Sequence, residues 1–96
     1  MLILEQFTGF DWDEGNRNKN WEEHRVSDAE CEQVFFNQPL LISPDMEHSE
    51  AEERYYIFGR TDQGRRLFVV VTPRQDKLRV ISARDMTKHE RAWYSM

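Results

Sequence analysis

The sequence predicts an α+β fold, in which a small, mostly antiparallel β-sheet carries an N-terminal helical hairpin and a C-terminal helix packed on it. Three observations support this class. Strand-like segments rich in aromatic and β-branched residues follow one another after residue 39. Two Ser/Thr-x-x-Glu capping boxes, at Ser27 and Thr87, mark helix starts. A chain of 96 residues is typical of one domain, so residues 1–96 are predicted as a single unit.

The first 24 residues predict a strand followed by a polar helix. "MLILEQF", residues 1–7, is predicted as a short strand, and Asp13 as the N-cap of a helix over residues 14–24. One face of that helix carries three polar side chains at i, i+4 spacing: Asn16, Asn20 and His24. A helix this polar lies on the surface or lines a wet site. We expect Trp12 and Trp21 to anchor it rather than to stack on bases.

The second helix begins at the Ser27 capping box and carries an apolar stripe that includes Cys31 and Val34. "NQP", residues 37–39, ends it, because proline lacks an amide donor and restricts the residue before it. The link between the two helices is very short, which predicts a helical hairpin. Cys31 on the apolar stripe is expected to be a packed thiol rather than a nucleophile.

The remainder of the chain predicts strands and a final helix. The strand segments are "LLIS" at 40–43, "RYYIFGR" at 54–60, "RRLFVVVT" at 65–72 and "KLRVISAR" at 77–84. "TDQG" and "PRQD" provide the turns between the last three. "LFVVV" is apolar at every position, as expected of a central strand covered on both faces. Thr87 begins a helix with Ala92 and Trp93 predicted to face inward.

The charge of the chain is divided unevenly. Its net charge is −5, yet residues 1–53 hold 3 Lys/Arg against 14 Asp/Glu, and residues 54–96 hold 10 against 4. One interpretation is that the two halves neutralise each other within the fold. The other is that the basic C-terminal half binds a polyanion.

Cysteine content and hydropathy restrict the class of protein further. A single cysteine excludes an internal disulfide and a multi-cysteine zinc site, and it favours a reducing, cytoplasmic location. The longest apolar run, "LFVVV", is far shorter than the ~20 residues that span a bilayer. "MLILEQF" lacks the basic start of a signal peptide. We therefore expect a cytoplasmic protein without a membrane segment.

The residue types available for chemistry are arginine, histidine and glutamate. No phosphate-binding loop or paired-histidine metal motif is present, and "DMEH" at 45–48 is read as a solvated loop rather than a metal site. Guanidinium groups match phosphate oxygens, and histidine and glutamate transfer protons, so this set can cleave RNA through the ribose 2′-hydroxyl without a metal or cofactor. The alternative is that the strand arginines pair with acids of the N-terminal half: Arg54, Arg60, Arg65, Arg79 and Arg84.

Five ordered segments of the chain resemble the BrnT family of toxins. They are "FDWDEGNRNKNWEEHRVS", "EQVFFNQPLL", "DMEHSEAEER", "GRRLFVVVTPR" and "RVISARDMTKHERAWY", spanning about residues 10–94. The resemblance implies a RelE-like fold and a ribonuclease that blocks translation. It also implies a cognate BrnA antitoxin with a ribbon-helix-helix DNA-binding end, which binds the toxin and represses the shared operon.

The resemblance also suggests which residues act. Those expected to be catalytic are His24 and Glu52 for proton transfer, with Arg54, Arg79 and Arg84 stabilising the phosphate. Those expected to hold RNA are Lys19, Arg65, Arg91 and Tyr94, and no metal ligand is expected. Carried over from the family's motifs but given no role are Trp12, Asp13, Asn20, Val26, Ser27, His48, Ser49 and Glu90.

Two features of the sequence conflict with a simple transfer of the family's site. The family commonly has lysine before the histidine and glycine after it, where this chain has Glu23 and Arg25. Arg79 and Arg84 are five residues apart, so on a regular strand they face opposite sides. Both can serve one site if a bulge intervenes or if Arg84 lies beyond the strand, and we expect the second.

Two functions follow from these residues. The first is a metal-independent endoribonuclease toxin that acts on RNA and is neutralised by a BrnA-like antitoxin. The second, suggested by Glu23 beside His24, is a catalytically weak or inactive homologue that binds the antitoxin within an operator-binding repressor complex.

Overall fold

The computed structural model describes residues 2–47 and 52–95. Within them the strands are β1 (Gly9–Phe10), β2 (Leu41–Pro44), β3 (Tyr55–Arg60), β4 (Arg66–Arg74) and β5 (Lys77–Asp85). The helices are α1 (Lys19–His24), α2 (Asp28–Gln33) and α3 (Lys88–Tyr94), with single 3₁₀ turns at Leu4–Gln6 and Val34–Phe36. The described strands form a five-stranded sheet in the order β1-β5-β4-β3-β2, antiparallel except for β1 beside β5. The predicted α+β class and mostly antiparallel sheet are confirmed.

The hydrophobic core lies between α2 and one face of the sheet, which we name the core face. Val26, Cys31 and Val34 come from the helical side and are fully buried. Sheet side chains that meet them and are also fully buried are Ile57, Leu67, Val69, Val71 and Val80. Each such side chain stabilises the fold by about 1.5–3 kcal/mol through its removal from water. β4 is the central strand, as the unbroken run "LFVVV" predicts.

The predicted N-terminal strand is wrong. Residues 4–6 form a 3₁₀ turn, and the strand instead occupies Gly9–Phe10. Backbone hydrogen bonds from Thr8 N–H to the Asp76 carbonyl and from Asp11 N–H to the Leu78 carbonyl lie at its two ends, at 2.7 and 2.8 Å. Leu4 and Phe7 pack against the core without joining the sheet, so their hydrophobicity reflects packing and not strand pairing.

The predicted helix over residues 14–24 begins later, and a helical hairpin is not evident. Asn18 has a left-handed backbone conformation (φ 60°), which interrupts the helix, so α1 has six residues and starts at Lys19. α1 contacts β5, whereas α2 contacts the 3₁₀ turn that follows it. The buried residue of α1 is the polar Asn20, so the helix has no apolar stripe to pack on α2. Trp21 is 47% exposed, so the prediction that it anchors the helix is wrong.

The local signals for α2, α3 and the β3–β4 turn are confirmed. Ser27 and Thr87 each accept a hydrogen bond from the backbone N–H three residues on, and the glutamate there reaches back to the cap. Gly64 in "TDQG" has φ 86°, the left-handed conformation that glycine adopts without a steric penalty.

α3 lies on the sheet face opposite the core face, which we name the α3 face. Trp93 meets Phe58 edge-on, with ring centroids 5.0 Å apart. Trp93 nonetheless stays half exposed and Ala92 is exposed, whereas Tyr94 is buried. The predicted C-terminal helix on the sheet is thus confirmed, but the inward residue is Tyr94, whose hydroxyl donates to the Pro39 carbonyl.

Candidate active site

Two asparagines near α1 bind the backbone of β5 where β1 has ended. Asn16 donates from Nδ2 to the Val80 carbonyl at 3.1 Å, and Ala83 N–H donates to Asn20 Oδ1 at 2.9 Å. Both asparagines are buried, at 4% and 1% exposure. Their amides therefore satisfy backbone groups that a longer β1 would otherwise pair. Of the predicted polar face, Asn16 and Asn20 thus line the edge of a strand, whereas His24 is exposed.

β5 contains a bulge at this point. Val80 and Ser82 pair with consecutive residues of β4, which leaves Ile81 as the extra residue. The two asparagine contacts lie on either side of Ile81, so α1 holds the irregular part of the strand in place.

The bulge places Arg79 and Arg84 on the same face of the sheet. Arg79 pairs with Thr72 and Arg84 with Phe68, and these partners are four residues apart on the regular strand β4. Both arginines therefore project to the α3 face. The expectation that Arg84 lies beyond the strand is wrong, because β5 extends to Asp85; the bulge is the correct explanation.

Arg79 is closely held by the loop that follows β1. Its Nη1 and Nη2 atoms each donate to an Asp13 carboxylate oxygen at 2.9 Å, and Asp11 Oδ2 lies 3.6 Å from Nη1. These contacts lower the pKa of Asp13, first through the hydrogen bond from Arg79. A side chain at Gly15 would come within 3.1 Å of the guanidinium, so glycine leaves room for the pair. Only 16% of the Arg79 side chain is exposed.

Arg84 is held less completely. Its Nη1 and Nη2 atoms donate to the two oxygens of Glu90 at 2.8 and 3.0 Å, and Nη1 also donates to the Asp85 carbonyl. The guanidinium lies 4.4 Å from the Phe68 ring centroid, a cation–π contact. The hydrogen bond from Arg84 lowers the pKa of Glu90. Of the five guanidinium N–H donors, Nε–H and one on Nη2 have no partner among the described residues, and 36% of the side chain is exposed.

Arg65 uses all five of its donors inside the protein. Nε and Nη2 bind Asp85 at 2.7 and 2.9 Å, and Nη1 binds Glu30 at 3.2 Å. The remaining donors bind the carbonyls of His24 and Arg25, which end α1. A guanidinium saturated in this way holds other groups in position.

Asp85 binds Arg65 directly, and the charges of two further predicted residues, Arg91 and His24, act on its carboxylate from a longer distance. The pKa of the Asp85 carboxyl is lowered, first by the hydrogen bond from Arg65, and further by the positive charges of Arg91 and His24. Arg91 donates to the Met86 carbonyl at 2.7 Å, and the His24 side chain is 43% exposed. We name His24, Arg65, Asp85 and Arg91 the Asp85 cluster. Arg84 adjoins it through the Asp85 carbonyl.

The other predicted site residues lie elsewhere. Glu52 pairs with Arg74 at 2.9 Å, at the turn end of β4. The Arg54 carbonyl accepts from Asp45 N–H at 2.9 Å ahead of β3. Lys19 is exposed at the start of α1, and Tyr94 is buried with its hydroxyl donating to the Pro39 carbonyl. Arg79, with Asp11 and Asp13, lies toward the other end of β5. The predicted site residues thus do not form one cluster. His24, Arg65, Arg84 and Arg91 lie at the Asp85 end of β5, and the others lie elsewhere.

Cysteine and metal chemistry receive no support from the described residues. Cys31 is fully buried, and burial raises the pKa of its thiol to about 12, so it is protonated at neutral pH. Within residues 2–47 and 52–95, no group of three His, Cys, Asp or Glu side chains could hold a metal ion. His48 of "DMEH" and the adjacent Ser49 lie outside the described residues. No helix in the described part of the chain is long and apolar enough to cross a membrane.

Residues 12–90 match the family described as the ribonuclease toxin BrnT of a type II toxin-antitoxin system. The chain belongs to the BrnT family. The match spans both arginine positions of β5 and most of the Asp85 cluster. A search of curated proteins gave no match. Family membership indicates a ribonuclease toxin with an RNA substrate and an antitoxin partner.

The two departures from the BrnT pattern have structural consequences. Arg25 ends α1 with φ 57°, the left-handed conformation that favours the family's glycine at a helix C-cap. Its guanidinium lies 5.6 Å from the Trp21 ring centroid, which offsets part of the backbone strain. Glu23 Oε2 lies 3.9 Å from His24 Nε2. An anion thus takes the place of the family's cation beside the histidine.

Sequence reasoning missed Asp85, although its carboxylate binds Arg65 and is influenced by the charges of Arg91 and His24. Its partners come from three separate segments, and no spacing in the sequence connects them. The sequence contained a signal for Asn16, since it shares a predicted helical face with Asn20. That face gave no indication that either residue contacts a strand backbone.

Proposed function

We propose that this BrnT-family protein is a metal-independent endoribonuclease that cleaves messenger RNA in the cytoplasm and so inhibits translation. We also propose that its sheet and helices correspond to the RelE-like architecture that the family resemblance implies. The observation that supports a site best is that His24, Arg65 and Arg91 all lie at the Asp85 end of β5, where Arg84 keeps two donors without a partner among the described residues.

The proposed reaction uses the 2′-hydroxyl of the substrate as nucleophile. His24 accepts the proton of that hydroxyl as its oxygen bonds to phosphorus, and the bond to the 5′-oxygen breaks as that oxygen takes a proton from a water molecule. His24 then passes its proton to the hydroxide that remains. Arg84 and Arg91 stabilise the negative charge that develops on the phosphate oxygens. The products are a cyclic 2′,3′-phosphate and a free 5′-hydroxyl, and His24 and the water are regenerated.

The remaining predicted residues take supporting parts. Arg65 is a positioning residue, because its donors fix the end of α1 and therefore His24. Arg79 lies roughly 13–16 Å along β5 from Arg84, so both cannot contact one scissile phosphate while each keeps its carboxylate partner. Lys19 remains a candidate for holding RNA at longer range. Glu52, Arg54 and Tyr94 have no part in the proposed chemical step.

The decisive experiment measures cleavage of a long single-stranded RNA by the purified protein, with and without a chelator. We expect cleavage in both conditions and a loss of about 100-fold or more in His24→Gln, which is the usual scale for general acid–base catalysis. Arg17→Gln, an exposed cation outside the Asp85 cluster, is the matched control. Cleavage that requires a divalent metal, or that His24→Gln leaves unchanged, would contradict the mechanism.

The second candidate is a weak or inactive homologue that acts through the antitoxin. Glu23 favours it, because its carboxylate lies beside His24 and repels a phosphate. Glu23→Lys restores the family's cation and should raise the cleavage rate if the first candidate is right. If both proteins are harmless on expression yet bind the antitoxin, the second candidate is supported.

We propose a BrnA-like antitoxin with a ribbon-helix-helix end as the partner, and a toxin–antitoxin complex that binds operator DNA. The charge asymmetry between the two halves of the chain supports docking of a segment that carries both signs of charge. Co-expression of the adjacent reading frame should restore growth and co-purify with this chain. A partner that leaves cleavage unaffected would contradict this assignment.

A further inference from the structure

Arg60 and Arg66 form an unusual cross-strand pair on the α3 face. They are directly opposite each other in the register of β3 and β4, and both are exposed. Within the described ranges, neither forms an ion pair with a carboxylate, whereas Arg65, Arg79 and Arg84 all do. Like charges directly opposite each other in a sheet are destabilising. A dissolved anion placed between them would remove that repulsion.

The pair lines an open groove of about 460 Å³ at the end of α3. Pro39, Gly64, Tyr94 and Ser95 complete its wall. Arg66 Nη1 donates to Ser95 Oγ at 3.2 Å, which orients that guanidinium across the groove. Gly64 adds no side chain, with nothing within 4 Å of where a Cβ would be, so the entrance is clear.

An aromatic surface continues from the pair along the same face. The next residues of that face on β3 and β4 are Phe58 and Phe68, about 7 Å further along the strands. Their rings are 5.0 Å apart, and Trp93, half exposed, meets Phe58 at the same distance. Arg84 lies over Phe68 at the far side of this surface.

We propose that Arg60 and Arg66 bind a backbone phosphate of single-stranded RNA, at a position distinct from the scissile phosphate near Arg84. A cationic groove beside a half-exposed tryptophan on an aromatic surface suits single-stranded nucleic acid, since phosphates pair with arginine and bases stack on rings. An acidic protein segment would use the cations but not the rings. This inference rests on the proposed function only in taking RNA as the ligand.

The test uses a short fluorescent oligouridine with 2′-O-methyl groups, which cannot be cleaved, so that binding is measured apart from catalysis. We expect Arg60→Gln/Arg66→Gln to raise its Kd about tenfold or more. The slope of log affinity against log salt should fall by about 0.7–1.4, as expected for one or two lost contacts with a single strand. The same variant should unfold at an unchanged or higher temperature, because the repulsion between the cations is gone.

The matched control is Arg74→Gln/Lys77→Gln. These residues are also exposed and directly opposite each other, at the β4–β5 turn, and the charge change is identical. We expect less than about a threefold change in Kd for this control, since nonspecific attraction alone is affected. Equal losses in both double variants would mean a diffuse charge effect and would overturn the proposal.

Two further outcomes separate this inference from the proposed function. Wild-type protein that binds the oligouridine through Arg60 and Arg66 but cleaves no RNA supports the inference and contradicts the nuclease. Wild-type protein that cleaves RNA, together with a double variant that binds the oligouridine normally, supports the nuclease and contradicts the inference. Loss of antitoxin binding in the double variant, with RNA binding intact, would assign the groove to an acidic partner and overturn the proposal.

Discussion

β5 carries an arginine toward each of its ends, Arg79 and Arg84. Both are paired with a carboxylate, but they differ in exposure and in the donors that remain available. Arg79 and Arg84 share one face, and each donates to both oxygens of a carboxylate from outside the sheet. Arg79 is 16% exposed and Arg84 is 36% exposed. The comparison shows that pairing with a carboxylate does not by itself make an arginine structural. The donors that remain available, and the groups beside them, decide whether it can bind a substrate.

The carboxylate partners of the two arginines belong to different kinds of structure. Asp13 lies in a loop fixed by its own contacts, since Gly15 N–H donates to its side chain and its own N–H donates to Asn16. Arg79 therefore fastens that loop to β5. Glu90 belongs to the capping box of α3, where Thr87 N–H also donates to it. Arg84 thus orients α3 while two of its donors keep no partner among the described residues.

The largest expected effect is on catalysis at the Arg84 end. Arg84→Gln should lower kcat/KM for RNA cleavage by about 100-fold or more, equivalent to about 2.7–4 kcal/mol, because a donor to the transition-state phosphate is lost. Arg79→Gln should lower it less than about tenfold, or 1.4 kcal/mol, while reducing thermal stability. Single-turnover cleavage rates and melting temperatures measure the two effects.

The comparison would be wrong if the effects of the two variants on cleavage and stability were exchanged. If Arg79→Gln abolished cleavage and kept its melting temperature, the active site would lie at the Asp13 end of β5. Arg84→Lys separates charge from geometry at the other end. It should recover only part of the rate, since an ammonium cannot bind Glu90 at two points and still face a phosphate.

A smaller effect concerns the bulge that places both arginines on one face. Asn20→Ala should lower the free energy of unfolding by about 1–3 kcal/mol, because the buried Ala83 N–H loses its acceptor. Chemical denaturation measures the change, and Glu22→Ala on the exposed side of α1 controls for helix propensity. A stability loss no greater than the control's would show that α1 does not support the bulge.

Several features of the fold could be predicted because their causes are local. Ser27 and Thr87 satisfy helix N–H groups within three residues, and Gly64 supplies the backbone conformation of a tight turn. The central strand was predictable because a strand covered on both faces is apolar throughout. In each case the sequence within a few residues contains the physical reason.

The site was less predictable because its geometry depends on distant partners. The resemblance selected His24, Arg84 and Arg91, but no local pattern indicates that all three lie at the Asp85 end of β5. The bulge at Ile81 depends on Asn16 and Asn20, which are more than 60 residues away along the chain. The late start of α1 depends on the left-handed conformation of Asn18, which helix propensity does not reveal.

The smallest expected effect is on stability in acid. Glu90 has a pKa below 4.5 in the folded state, first because of its hydrogen bond from Arg84. Between that lowered pKa and 4.5 the unfolded chain binds more protons, so stability rises with pH there. The contribution is complete above about pH 4.5 and is lost as the pH falls through the folded pKa. Glu90→Gln should therefore lower stability at pH 7 by about 1 kcal/mol or less and flatten the upper part of the acid limb.

Asp13→Asn provides the same measurement at the other end of β5. The pKa of Asp13 is lowered from 3.8, so its contribution should be complete above about pH 3.8, compared with about pH 4.5 for Glu90. Denaturant midpoints recorded between neutral pH and acid would separate the contributions of Asp13 and Glu90.

In Glu90→Gln the new side chain can still accept from Thr87 N–H, so the capping box is kept and the change reports on Arg84. An unchanged acid limb in Glu90→Gln would mean that the carboxylate leaves Arg84 in solution, and that the guanidinium is freer to meet a phosphate than its contacts indicate.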